Sequence, residues 1–249
     1  MISESPTESL KMAPKVLVVL SSFDKIQANN HPTGWYLPEF AHPWEILHEK
    51  TELTIASPKG GEAPLDPSSV EMFKDDPVSA KFLKEQEALW KNTEKLADVL
   101  PRAGEFDAIF YVGGHGPMFD LATDPTSIKL IQTFAEAKKP VSAVCHGPCV
   151  FVNVTTPSGK PLVADAEVTG FSNGEEDQVQ LSSVMPFMLE DELQKGSGGK
   201  YVKAAEPWGE KVVVSKVKEL GGDLITGQNP ASATGVGKAI LKSLGLVNH

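Results

Sequence analysis

Two short segments hold the residues best able to do chemistry in this 249-residue chain. In Ala143-Val144-Cys145-His146-Gly147-Pro148, a cysteine stands between an aliphatic run and a Gly-Pro helix start. This is the small-x-Cys-x-Gly layout of a nucleophile elbow, where a sharp strand-to-helix turn lifts the side chain into a crevice. A helix beginning just after Cys145 would aim free N–H groups and a partial positive charge at the sulfur, favouring thiolate. In Tyr111-Val112-Gly113-Gly114-His115-Gly116, Gly113 and Gly114 let a backbone approach the same crevice closely. Their N–H groups, with that of His146, are placed to bind a developing oxyanion; the plainer alternative is a tight turn. His115 reads as a loop-packing histidine, because the glycines around it explain the motif. Cys149, one helical turn after Cys145, reads as a packed core thiol.

Other motifs fail on spacing. Gly-Gly-His-Gly lacks the G-x-G-x-x-G pattern of a dinucleotide loop. Gly235-Val236-Gly237-Lys238-Ala239 fails as a phosphate loop, since Ser232 stands where the first Gly is required and Ala239 replaces the magnesium-binding hydroxyl. His31, Glu39 and His42 could in principle hold a metal, but Pro43 and the absence of an H-x-x-H or H-x-x-E-H pattern argue against it. No metal and no nucleotide are expected.

The elements that must position these residues alternate. Val16–Leu20 is a β-branched-rich run, the pattern of a strand buried on both faces. Trp35–Glu49 reads as a helix interrupted by Pro38 and Pro43, and Leu53–Ala56 as a second strand. Lys59–Met72 reads as loop, and Asp75–Leu100 as a helical insertion at the sheet edge. Ala108–Val112 and Val141–Val144 are strand-like around a helical Ile128–Ala137, followed by a turn into Pro148–Val154. Val168–Phe171, Tyr201–Ala204, Val212–Val214 and Leu224–Thr226 are short apolar runs, and Ala231–Leu244 is a final helix. The alternation predicts an α/β fold: a doubly wound, mostly parallel sheet with helices on both faces and its ligand crevice beyond the carboxyl ends of the strands. Trp35 and Trp90 read as core, and Trp208 as a pocket wall. No repeat or hinge divides residues 13–249, which read as one domain behind a frayed extension, 1–12; Met12 opens a second plausible start.

Composition sets the class. Hydrophobic residues make up 41% and charged residues 22%, and 23 basic against 33 acidic side chains leave a net charge of -10. A chain of this size buries roughly three quarters of its unfolded surface and needs no crosslinks. The acidic balance disfavours nucleic acid and anionic membranes as partners. No apolar run approaches the roughly 20 residues that span a bilayer, and the polar first eleven residues lack the apolar core of a secretory signal. Two cysteines in one segment suit a reducing compartment; a cytoplasmic location is expected, with the nucleus also compatible.

KVLVVLSS, TGWYLPEFAHPW, YVGGHGPMFDL, AVCHGPCVFVNV, GKPLVADAEVTGFSNGEE, PWGEKVVVS and LITGQNPASA together resemble the ThiJ/PfpI superfamily, in particular its fungal branch of heat-shock chaperone-like, glutathione-independent glyoxalases (glyoxalase III). The resemblance covers Lys15 to Leu244 and implies a flavodoxin-like fold akin to the class I glutamine amidotransferases. It places the nucleophile on Cys145, the adjacent histidine on His146, the first-helix acid on Glu39 and the downstream acid on Glu176, with Glu175 a neighbouring candidate. An acid beside a thiolate would share one proton with it and titrate as a unit, its pKa raised. Whether Cys145 and His146 form an ion pair stays open, because neighbours at an elbow need not face each other.

The implied activity is conversion of methylglyoxal, a small 2-oxoaldehyde, and water to D-lactate through a Cys145 hemithioacetal. It needs no metal, glutathione or redox cofactor. A homodimer is implied, as is a second role as a holdase for unfolded client proteins or a protein deglycase. A thiol redox sensor is a further alternative. An amidotransferase is excluded, because the only histidine beyond His146 is His249. Peptidase activity ranks below these, since no peptide groove is evident.

Overall fold

The computed structural model describes residues 12–246. The expected extension 1–12 therefore lies, but for Met12, outside the described residues. The strands are β1 Lys15–Val19, β2 Lys25–Ile26, β3 His31–Pro32, β4 Glu52–Ser57, β5 Glu94–Lys95, β6 Ala108–Tyr111, β7 Val141–Val144, β8 Val212–Lys216 and β9 Asp223–Gly227. The helices are α1 Leu37–Leu47, α2 Pro67–Met72, α3 Pro77–Glu85, α4 Glu87–Lys91, α5 Leu96–Val99, α6 Pro125–Glu136, α7 Asn173–Gln178, α8 Leu189–Gly196 and α9 Ala233–Ser243.

Seven strands form one sheet in the order β5-β4-β1-β6-β7-β9-β8, parallel except for β8, which runs antiparallel to β9 at the edge. The aliphatic β1, β6 and β7 occupy the middle and are almost wholly buried, as runs without polar alternation must be. From β1 the chain winds outward to β4, whereas from β6 it winds the opposite way to β7. Right-handed crossovers then set α1 on one face and α6 on the other. Accordingly α1 packs on α9, and α6 on α5 and the Leu100–Glu105 turn. The winding reverses between β1 and β6, and beyond the carboxyl ends of such strands a crevice opens.

Several local expectations are corrected. Pro38 and Pro43 do not interrupt α1: Pro38 occupies the first turn, where no N–H is needed, and Pro43 sits inside the helix, costing it only the bond to the Glu39 carbonyl. The insertion divides into α2 to α5, with the Asp66 side chain capping α2 inside the expected loop, and it adds β5 to the sheet edge. The runs Val168–Phe171 and Tyr201–Ala204 lie outside the sheet and meet in one parallel bridge, Val168 to Tyr201. Trp35, Trp90 and Cys149 are buried in the core, as expected. Among the described residues no helix is long and apolar enough to cross a membrane.

Candidate active site

β7 ends in the tight turn read from the sequence. Cys145 has φ +64, a left-handed conformation that a β-carbon resists, and it is held there because its N–H donates to the Gly227 carbonyl (2.9 Å) and its own carbonyl accepts from Phe171 N–H (2.9 Å). The segment after the elbow is a five-residue 3₁₀ turn, Gly147–Phe151, and not the helix expected. The expected ionisation of the free thiol is corrected with it. Burial, then the neighbouring Glu39 and Glu175 carboxylates, push the Cys145 thiol well above its ordinary range, and only the His146 backbone N–H opposes them.

The acid from α1 stands behind the sulfur. Glu39 is fully buried, and neither carboxyl oxygen has a neighbour in hydrogen-bond geometry, although the Cys145 thiol and the Gly113 N–H lie close enough to favour its ionised form. Burial outweighs both and raises its pKa well above the carboxylate range. A charged thiolate and a charged carboxylate cannot both persist here, so the pair keeps at least one proton and titrates as a unit. Gly113 makes the approach possible: a Cβ on it would lie 2.3 Å from Glu39 Oε1 and 3.0 Å from the Cys145 Cβ. Gly113 thus sits behind the site and does not line the cavity, whereas Gly114 does. Gly114 takes φ +102, and a Cβ there would meet the Gly34 carbonyl at 2.3 Å.

On the other side, His146 Nδ1 lies 3.7 Å from Cys145 Sγ and Nε2 lies 2.6 Å from Glu176 Oε2. Glu176 Oε1 takes a second histidine, His115 Nε2, at 2.7 Å, and the two imidazole rings are 4.0 Å apart. Burial opposes the Glu176 charge, but the two histidines hold its carboxyl well below the usual range. Burial and His115 together lower the pKa of His146. With Nε2–H donating to Glu176, a neutral His146 presents its Nδ1 lone pair to the sulfur.

The choice between Glu175 and Glu176 falls to Glu176. Glu175 belongs to the scaffold: it forms a capping box with Ser172 at the start of α7 and accepts from Gln228 Nε2 (2.8 Å), Asn229 Nδ2 (3.0 Å) and Trp208 N–H (3.0 Å). The Ser172-x-x-Glu175 spacing is a sequence signal for that cap and could have settled the assignment. His115 is the residue that sequence reasoning undervalued; its partner lies 61 positions away, and no local pattern reveals it.

Cys145 and His146 open onto a cavity of about 220 Å³ also lined by Tyr36, Asp66, Gly114, His115 and Phe171, with Trp208 as the expected wall. The Trp208 ring packs edge-on to Phe171 and donates from Nε1 to Gln178 Oε1 at 2.6 Å. His31, Glu39 and His42 do not assemble: His42 pairs with Asp76 at 2.7 Å while Glu39 is buried behind Cys145. His115, His146 and Glu176 do bring metal-ligating atoms within 4.8 Å of one another, with both Nε2 atoms engaged by the carboxylate.

Fold and site together define a mostly parallel α/β sheet carrying a cysteine at a strained elbow, flanked by a buried glutamate and a His–Glu pair. A match to the DJ-1/PfpI family spans residues 37–180, and the chain belongs to that family. It is 30% identical over 228 residues to glyoxalase 3 of Candida albicans (88% of this chain, 93% of that protein) and 27% identical over 230 residues to the glutathione-independent glyoxalase HSP31 of Saccharomyces cerevisiae (89% and 94%). Among solved structures, the Rapid Encystment Protein of Francisella tularensis superposes with a TM-score of 0.84 at 38% identity, over 93% of this chain and 99% of that one.

Proposed function

We propose that the chain is a glutathione-independent glyoxalase that turns methylglyoxal and water into D-lactate. The observation that carries this reading is the position of Cys145 Sγ between the proton-sharing Glu39 and the Nδ1 face of a His146 fixed by Glu176. The names of the fungal relatives point the same way.

The steps follow from where the protons sit. The sulfur bonds to the aldehyde carbon while Glu39 delivers the shared proton to the aldehyde oxygen, giving a hemithioacetal; Gly114 and His146 N–H groups, which have no oxygen partner among the described residues, stabilise that oxygen as charge develops. Glu39, now a carboxylate, removes the proton from the same carbon to form the enediolate and returns it to the adjacent carbon. The first hydroxyl proton passes to the second oxygen, which leaves a lactoyl thioester on Cys145. Water, deprotonated by His146 Nδ1, displaces the sulfur, and the shared proton is restored. Within this scheme electrons move only inside the substrate, so no redox partner enters.

A second role has one supporting observation: the exposed apolar side chains of Met72, Val179 and Trp208 rim the cavity, a surface suited to unfolded clients. We place both activities on a homodimer. Cys145→Ala is expected to abolish D-lactate formation from methylglyoxal, read by chiral analysis without added thiol or metal, while suppressing aggregation of a heat-unfolded client at wild-type strength. Wild-type turnover by that variant would refute the assignment of the nucleophile.

A further inference from the structure

We propose that Asp66 forms a second recognition point in the cavity, selecting 2-oxoaldehydes that carry hydroxyl groups beyond the dicarbonyl, such as open-chain sugar-derived ones. The inference rests on the glyoxalase reading and concerns which substrates that site takes.

The first observation is space. A three-carbon dicarbonyl fills the volume of about three or four waters, roughly 100 Å³ at ~30 Å³ each. That is less than half of the 220 Å³ available, and the remainder extends to Asp66.

The second is an unspent charge. Asp66 is 2% exposed, and a carboxylate so buried needs partners. Its Oδ1 has them, accepting from Ser68 N–H (2.8 Å) and Ser68 Oγ (2.7 Å). Its Oδ2 has no hydrogen-bond partner among the described residues. It is also not among the fully enclosed orphan oxygens, although Asp66 lines the cavity, so it opens into the cavity. Burial chiefly raises Glu39 and Tyr36, the Asp66 charge adds to both, and Asp66 lines the same cavity as Cys145.

The third is rigidity. Asp66 N–H donates to the Trp35 carbonyl (2.9 Å), and the Asp66 carbonyl accepts from Ser69 Oγ (2.7 Å), which in turn accepts from Leu37 N–H at the start of α1 (3.1 Å). The carboxylate is therefore held against the helix that carries Glu39, at a fixed offset from the chemistry.

The surrounding groups favour a hydroxyl over an ammonium. A hydroxyl both donates and accepts, whereas an ammonium only donates. Tyr36 lines the same cavity as Asp66, and its hydroxyl donates to a weak acceptor, Met72 Sδ, at 3.4 Å, a bond readily redirected to a ligand oxygen. Phe171 and Trp208, with ring centroids 5.5 Å apart, complete an aromatic wall against which a carbon chain can lie.

The test compares 3-deoxyglucosone with 2-oxohexanal, six-carbon 2-oxoaldehydes with and without hydroxyls. Wild-type enzyme is expected to prefer the hydroxylated compound by tenfold or more in kcat/KM, and Asp66→Asn to lower that preference at least tenfold. The asparagine keeps an oxygen for Ser68 N–H and turns the free oxygen into a donor. Equal losses for the two compounds, or no wild-type preference, would overturn the proposal. Calorimetric binding of both compounds to Cys145→Ser protein reads the subsite without turnover: tighter binding of 3-deoxyglucosone by tenfold or more supports it, and equal affinity refutes it. Because methylglyoxal conversion is scored separately, failure of the glyoxalase reading and failure of the subsite give different results.

Discussion

Gly113→Ala is expected to part Glu39 from Cys145 while leaving both residues in place in the sequence. The backbone is no obstacle, since Gly113 is not among the glycines with positive φ. Space is: the new methyl carbon would lie 2.3 Å from Glu39 Oε1 and 2.4 Å from the Val144 carbonyl oxygen, where ordinary contact starts at 3.4 Å. Both neighbours must yield by about 1 Å. Val144 is held in β7 between β6 and β9, so the Glu39 side chain gives first and swings off the sulfur. Overfilling a packed core costs about 1–3 kcal/mol. At about 2–4 °C per kcal/mol for a domain of this size, Tm should fall by roughly 2–12 °C in scanning calorimetry. Turnover should fall further, on the order of 100-fold, because a catalytic group displaced by ~1 Å loses that much. Chiral D-lactate analysis below Tm gives the second number. An alanine variant with wild-type Tm and kcat would show that the contact is neither tight nor catalytic, and a lowered Tm with wild-type kcat would remove Glu39 from the chemistry.

Further outcomes follow from the same charges. Glu39→Gln removes an acid that raises the Cys145 thiol, so the midpoint for alkylation by iodoacetamide should move to lower pH while kcat falls by about 10²–10⁴; an unmoved midpoint would break the proton-sharing argument. Because the folded pKa of Glu39 is raised, its contribution to stability is present below the unfolded value and is lost as pH rises through the folded one. Glutamine should therefore flatten the alkaline side of a Tm-against-pH curve. Glu176 has the opposite sign: its folded pKa is depressed, so it stabilises above about pH 4.3, its unfolded value, and that stability is lost as pH falls toward the lower folded value. Glu176→Gln should lower Tm at pH 7 and blunt the acid-side fall; an unchanged acid limb would place the stabilising charge elsewhere.

Much of the site was legible because its signals are local. The elbow needs only a buried aliphatic run, a cysteine and a Gly-Pro start, and these stand within six residues of one another. Gly113-Gly114 likewise announced a close backbone approach, although the structure divides the work: Gly113 makes room for Glu39 and Gly114 faces the cavity. Two prolines suggest breaks in α1, yet Pro38 falls in the first turn and Pro43 is tolerated by a helix packed against α9. The sequence likewise suggests a helix start that would favour the Cys145 thiolate, but the turn is 3₁₀, and burial beside two carboxylates dominates.

What the sequence determined alone is the alternation of strands and helices, from which a doubly wound sheet follows, and the placing of a cysteine at the end of β7, since these rest on short apolar runs and a local turn pattern. What only the tertiary structure decided is the company that sulfur keeps. His115 and Glu176 are 61 positions apart, Glu39 and Cys145 more than a hundred, and Asp66 reaches the cavity from a different segment again. Proton affinity in a protein depends on desolvation and on charges a few ångströms away, and both arise only when distant segments pack against one another.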